Sequence, residues 1–300
     1  MDSVSGYAPA KINLNLNVLP VREDGFHSIE SIFLSVGLAD SITVSRIPHE
    51  KNAVRIDCAG LPLPKENTFT KAYNAFCKLT GRGDAFLVTV QKRIPAGGGL
   101  GGGSSDAAFF IRAMDALCGT GLGMADFDEI AASVGSDVFF FLRCDFPFAA
   151  VPYAAIVTGR GECVTDIRCR PLNIILLLPQ VHSSTAEAYQ LADAAHRAGH
   201  RTTCPPLTEL PEELARPASQ WHFANFFTTV LCRKYPAIAD ALGALRECRA
   251  DFADMSGSGS AVFGIFEDSA SFADACARLQ KEWGSACVVC KADESGPQSG

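Results

Sequence analysis

The sequence predicts an α+β protein with a two-part layout, on three observations. Short alternating segments of strand type lie between segments of helical spacing along the whole chain. One strand leads through six glycines in seven positions, residues 97–103, into a helix. The mixture then begins afresh after a weakly marked stretch near 150–165.

Composition bounds the answer. The 300 residues, 48% hydrophobic and 20% charged, suffice for one large domain or two ordinary ones and exclude global disorder. The net charge of -7, with no basic run, lacks the footprint of a nucleic-acid binder. An anionic ligand is still possible, because helix N-termini bind anions. No apolar run approaches the roughly 20 residues that span a bilayer. The N-terminal "MDSVSGYAPA" lacks a basic start and an apolar core, so no signal peptide and a cytoplasmic location are expected. The 12 cysteines sit in apolar contexts and read as reduced, buried small hydrophobes.

The elements follow in order. "KINLNLNVL" (11–19) alternates Ile12, Leu14, Leu16 and Val18 against Asn13, Asn15 and Asn17, the pattern of a half-buried strand with a polar face. Residues 41–47 and 53–58 read as a strand pair. "NTFTKAYNAFCKLTG" (67–81) reads as a helix with Phe69, Ala72, Tyr73 and Phe76 on one face and Gly81 as its stop. A strand at 85–95 precedes the glycines; helices are expected from about Ser105 to Leu117 and over 124–135. In the second half, strands are expected at 151–158, 172–178, 261–266 and 287–292, and helices at 185–198, 221–234, 236–248 and 269–283. The polar end "DESGPQSG" reads as a disordered tail. Cys287 and Cys290 have CxxC spacing, but without a second pair they read as strand residues. His196, His200 and Cys204 have spacing that could suit a metal, yet "AAHRAGHRTTC" reads as a cationic helix end closed by Gly199.

The glycine segment is the chemical signal. Strand, glycine loop and helix together present backbone N–H groups and a positive helix end to an anion, so a phosphate site is expected. Ser104, Ser105 and Asp106 suit the cap and first turn. The segment is not a Walker A loop, since Ser104 rather than Lys follows Gly103. Gly97, Gly99 and Gly102 fit GxGxxG, but the acidic partner of a dinucleotide site and the companion motifs of protein kinases are missing.

"IPAGGGLGGGSSDAA" (94–108) resembles the second motif of the GHMP small-molecule kinases, P-x-x-x-G-L-G-S-S-A-A. "PAKINLNLNVLPVREDGFHSIES" (9–31) and "MSGSGSAVFGIF" (255–266) are similar to the first and third motifs, in the expected order. The inserted Gly-Gly, "SSDAA" and "DGFH" resemble the branch whose acceptor is a cytidine diphosphate of methylerythritol, on the non-mevalonate route to isoprenoid precursors. The resemblance implies a ribosomal-protein-S5-like N-terminal domain (1–160) that binds ATP, a ferredoxin-like C-terminal domain (161–292) and a tail (293–300). It implies a cleft between the domains where ATP phosphorylates a hydroxyl.

The same resemblance assigns residues. Lys11 and Asp137 are implied as catalytic. Pro95, Gly97, Gly98, Gly99, Leu100, Gly101, Gly102, Gly103, Ser104 and Ser105 are implied around ATP, with Mg2+ expected on the phosphates. Asn13, Phe26, His27, Thr185 and Tyr189 are implied on the acceptor, His27 at the cytosine edge. Gly257, Ser258 and Gly259 are implied to shape the site. Phe26 stands where the family commonly has tyrosine, and Phe226 follows Asn225 where an acidic residue is common. No chemistry is assigned to "GRGE" (159–162). The expected partners are the two small molecules, in a monomer or homodimer, with no nucleic acid and no membrane. A kinase of the same superfamily acting on mevalonate, homoserine or a sugar is the first alternative. A binding protein that has lost catalysis is the second.

Overall fold

The computed structural model describes residues 2–58, 63–147, 152–181 and 183–292. The expected tail, 293–300, lies outside the described residues.

Six strands form the first sheet: β1 (Ser3–Val21), β2 (His27–Lys51), β3 (Val54–Cys58), β4 (Asp84–Gln91), β5 (Ala154–Gly159) and β6 (Cys163–Ile167). Its path is β3-β4-β2-β5-β6, with β1 antiparallel to β2. The expected pairing of 41–47 with 53–58 does not occur. The strand β4 lies between β2 and β3, because β3 runs parallel to β4 and a parallel neighbour requires a crossover. That crossover is α1 (Thr68–Thr80), capped as its sequence suggests. Asn67 Oδ1 accepts from the Thr70 N–H, the Thr70 hydroxyl accepts from the Asn67 N–H, and Gly81 closes the helix at φ 68°. Its buried residues are Phe69, Ala72, Tyr73 and Phe76.

The helices α2 (Gly102–Cys118), α3 (Met124–Val134) and α4 (Val138–Phe141) join α1 in the same layer. Phe69, Phe86, Phe110, Phe33 and Phe140 lie in one buried cluster there. The strand β6 pairs with β5 across the expected boundary at 160/161, so the first sheet runs on to Ile167.

The second sheet has the order β10-β7-β9-β8, from β7 (Asn173–Leu177), β8 (Phe252–Met255), β9 (Val262–Phe266) and β10 (Cys287–Cys290). This is the order of the ferredoxin-like split βαβ. Cys287 and Cys290 are buried within β10. Its helices are α5 (Thr185–Arg197), α6 (Leu210–Ala215), α7 (Phe226–Lys234), α8 (Pro236–Glu247) and α9 (Ser269–Trp283). The helix expected over 221–234 begins at Phe226. The stretch before it is extended, with Trp221 and Phe223 buried and the Ala224 carbonyl accepting from the Leu16 N–H at 2.9 Å.

A second buried cluster joins the sheets: Ile12, Leu14, Ile32 and Leu34 from the first meet Leu176, Phe263 and Ile265 from the second. The polar side of β1 is not a solvent face either. Lys11, Asn13 and Asn15 are all buried, at 4%, 1% and 1% exposure. Lys11 and Asn13 line the cleft, and Asn15 Oδ1 accepts from the Ala224 N–H at 3.3 Å.

Candidate active site

A cleft of about 1190 Å³ runs between the glycine loop, β1, the 22–27 turn and α5. It is lined by Lys11, Asn13, Phe26, His27, Pro95, Gly97 to Ser104, Asp137, Thr185, Tyr189, Gly257 and Ser258. Ser105 is absent from the lining: it is 2% exposed, with its hydroxyl turned into the protein. The reason is a helix start earlier than expected. The first turn of α2 begins at Gly102, capped by Gly101 at φ 72° with no side-chain cap, so Ser104 and Ser105 lie inside the helix. Gly259 is also absent from the lining.

The glycines have two separate causes. Gly97, Gly99 and Gly101 have φ of 76°, 77° and 72°, in the left-handed region that excludes most side chains. Close approach is the second cause. A Cβ on Gly259 would overlap the backbone of Gly98 and Gly99, and a Cβ on Gly99 would lie 2.9 Å from the Gly259 nitrogen. The second and third motifs thus mesh main chain to main chain. The seam is held by Ala261 N–H to the Gly98 carbonyl (3.1 Å) and the Ser256 hydroxyl to the Gly99 carbonyl (3.0 Å). By contrast, Cβ atoms on Gly98 and Gly103 would meet only ordinary contacts, at 3.6 Å and beyond. Fold geometry does not require glycine at those two positions.

The chemical centre lies beside the loop. The Lys11 ammonium donates to Asn13 Oδ1 at 2.6 Å and stands 3.7 Å from Asp137 Oδ2. Asn13 Nδ2 donates to the Ser31 hydroxyl at 2.9 Å, and that hydroxyl donates to the Asn15 carbonyl. A Cβ on Gly101 would come within 3.2 Å of Lys11 Cγ, so the lysine stem lies against the loop. Phe33 covers the ammonium, 4.6 Å from ring centroid to Nζ. Burial lowers the Lys11 pKa, and the Asp137 charge pulls it back up. Asp137 makes no side-chain cap to α4, which leaves its carboxylate for the lysine and the cleft.

At the other end, His27 Nδ1 lies 2.7 Å from the Leu19 carbonyl, and Tyr189 packs 5.1 Å from the imidazole. Burial pushes the Tyr189 phenol up to about 12, with the Asp137 charge adding to it. Phe26 is 48% exposed, and the Arg160 guanidinium covers its ring at 3.5 Å. Thr185 is the first residue of α5, and its hydroxyl accepts from Ser258 Oγ at 3.3 Å.

Sequence reasoning missed several groups here. Arg160 was visible within "GRGE", but only the fold lays it on Phe26. Asp193 follows Tyr189 by four residues on α5, a spacing that shares a helix face. Lys92 bridges two buried carboxylates, Asp40 and Asp106, the latter at 2.7 Å. No local pattern joins those three. The acidic residue missing after Asn225 has a counterpart on β8. Asp254 Oδ2 accepts from the Asn225 N–H at 2.8 Å, and Asn225 Nδ2 donates to the Gly257 carbonyl at 2.8 Å. An acidic group thus reaches this helix from elsewhere in the fold. His196 and Cys204 are separated in use: the His196 ring stacks on Phe226 at 4.5 Å, and the Cys204 thiol points to the Ala224 carbonyl.

Among the described residues, no group of three or more His, Cys, Asp or Glu could hold a metal. Among the same residues, no helix is long and apolar enough to cross a membrane.

A glycine loop at a helix N-terminus, a second glycine turn meshed with it and a lysine–aspartate pair alongside define a small-molecule kinase. Residues 67–144 match the GHMP kinases N terminal domain and residues 183–285 match GHMP kinases C terminal; the chain belongs to the GHMP kinases. It is similar to the 4-diphosphocytidyl-2-C-methyl-D-erythritol kinase of Treponema pallidum (strain Nichols), 40% identical over 290 residues, covering 94% of this chain and 97% of the relative. The enzyme of the same name from Prosthecochloris aestuarii is 35% identical over 93% of this chain and 94% of its own. Among solved structures, a 4-(cytidine 5'-diphospho)-2C-methyl-D-erythritol kinase superposes with TM-score 0.77 at 28% identity, covering 96% of this chain and 98% of the other. Homoserine kinase from Cytophaga hutchinsonii shares the fold, with TM-score 0.69 at 17% identity over 99% and 97% of the two chains.

Proposed function

We propose that the protein transfers the γ-phosphoryl group of ATP to the 2-hydroxyl of 4-diphosphocytidyl-2-C-methyl-D-erythritol, a step toward isoprenoid precursors. One observation carries the reading. A single cleft joins the glycine loop to the Phe26–His27–Tyr189 corner, with the Lys11–Asp137 pair on its wall. The similarity to relatives of that name supports it.

Each part has a task. The N–H groups at the start of α2, with the positive end of the helix, hold the ATP phosphates. Magnesium bound to those phosphates supplies charge neutralisation. Gly98 and Gly103 stay bare so that phosphates approach the main chain, and Ser104 offers its hydroxyl. Asp137 accepts the proton of the acceptor hydroxyl. Lys11 aims that carboxylate, and Asn13 fixes the ammonium. Phe26 and Tyr189 offer aromatic faces to the cytosine, and His27 meets its edge. Gly257 and Ser258 shape the wall, with Gly259 behind them. The two units proposed around the cleft divide after Ile167, where the first sheet ends, rather than at the expected 160/161, and the location proposed is the cytoplasm.

A coupled ADP-release assay tests this with magnesium, ATP and the cytidyl acceptor, with homoserine and mevalonate as controls and Asp137→Ala alongside. Turnover with the cytidyl acceptor alone, lost in the variant, is expected. Turnover with a control only would move the substrate assignment to that alcohol. No turnover in a protein that binds ATP would mean a binding protein on this fold.

A further inference from the structure

The base-recognition corner holds a contact without a role in the reading above. His27 Nδ1 faces the Leu19 carbonyl, which only accepts, so Nδ1 carries a proton. The other ring nitrogen, Nε2, faces Asp193 Oδ1 at 3.3 Å. The imidazole is almost fully buried, whereas the Asp193 side chain keeps 32% of its surface. Asp193 and Tyr189 share a face of α5, and Tyr189 packs against the same imidazole. All three line the cleft. A carboxylate, a ring nitrogen and an aromatic face therefore meet at one point.

The Asp193 carboxylate only accepts, and it opens onto the cleft. The two pyrimidines differ in what they offer. Cytosine carries a 4-amino group with two N–H donors, and carboxylates accept from that amine. Uracil has a 4-oxo group there, which would face the carboxylate as a second acceptor.

We propose that Asp193 is a specificity-determining residue, which makes the site read cytosine rather than uracil by accepting from the 4-amino group beside His27. This rests on the cytidyl-acceptor reading and adds the atom-level choice of base. Tyr189 supplies stacking that any base satisfies; Asp193 supplies the discrimination.

Calorimetric binding of CDP and of UDP to the full chain tests it, with the ATP site filled by a non-hydrolysable ATP analogue and magnesium. The parent is expected to prefer CDP by about 5- to 150-fold. Asp193→Asn brings the preference close to parity, because the amide presents its own N–H2 to the uracil oxygen. Asp193→Glu, which keeps the carboxylate, retains a preference for CDP. The 4-deamino analogue of CDP, tested on the parent alone, binds as weakly as UDP, and this arm needs no variant to fold. A parent-like preference in an Asp193→Asn protein of unchanged melting temperature overturns the inference, as does parent binding of the deamino analogue equal to CDP. Both results leave the cytidyl reading standing. A parent that binds neither nucleotide, and turns over another alcohol, overturns that reading and this inference with it.

Discussion

Lys11 and Asp137 meet at 3.7 Å although one lies mid-strand in β1 and the other at the entry to α4. The lysine is buried and fixed to Asn13, so the ammonium is held rather than free to follow the carboxylate. Asp137→Asn is expected to lower kcat by about 10²- to 10⁴-fold, the usual worth of a positioned base, with little change in the KM for ATP. Steady-state kinetics on both substrates check it.

The same pair sets the alkaline limit of activity. Burial lowers the Lys11 pKa below its ordinary 10.5, so its ammonium is lost earlier than a surface lysine's as pH rises. The basic limb of the kcat profile is expected below pH 10.5. In Lys11→Arg, whose guanidinium does not titrate there, whatever activity survives should lack that limb.

Gly103 and Gly259 separate ligand-imposed from fold-imposed glycine. A Cβ on Gly103 meets only ordinary contacts with the Thr68 side chain, whereas one on Gly259 strikes the backbone of Gly98 and Gly99. Gly103→Ala, inside a helix, is expected to hold or gain stability by about 0.5–1 kcal/mol while raising the KM for ATP. Gly259→Ala is expected to lower the melting temperature as well. Thermal unfolding beside kinetics resolves the two. A Gly103→Ala protein with an unchanged KM would place the phosphates elsewhere.

Asp106 is pushed up to about 7, chiefly by burial and further by Asp40, against the pull of Lys92. The sign follows from linkage. Between its ordinary 3.8 and about 7 the folded chain binds a proton that the unfolded chain has released, so stability falls as pH rises through that window. Asp106→Asn is expected to flatten the fall. Urea unfolding at pH 4.5, 6 and 7.5, parent against variant, measures the difference.

Arg160 covers the exposed Phe26 ring at 3.5 Å, a face that carries no phenol hydroxyl here. Arg160→Ala is expected to free the ring and raise the acceptor KM several-fold, in line with the ~0.5–2 kcal/mol of a cation–π contact. The KM for ATP should not move. Equal rises in both would point to a general loss of cleft shape instead.

Much was legible in the sequence because local causes act locally. Asn67 and Gly81 bound α1 by capping chemistry, and the amphipathic spacing of Phe69, Ala72, Tyr73 and Phe76 chose its buried face. The order of three motifs marked the family and the site. What the sequence could not show was set by contacts between distant segments. Asn13 and Asn15 alternate like a solvent-facing strand edge, yet they are buried because the second half of the chain covers them. Residues 53–58 pair with β4 rather than with β2, since strand order depends on a crossover that no single segment encodes. The seam of Gly98 and Gly99 against Gly259, the Arg160–Phe26 stack and the His27–Asp193 contact each join residues far apart in the chain. Periodicity and capping reach only a few residues along the backbone; such contacts exist only once burial of both cores has brought the two halves together.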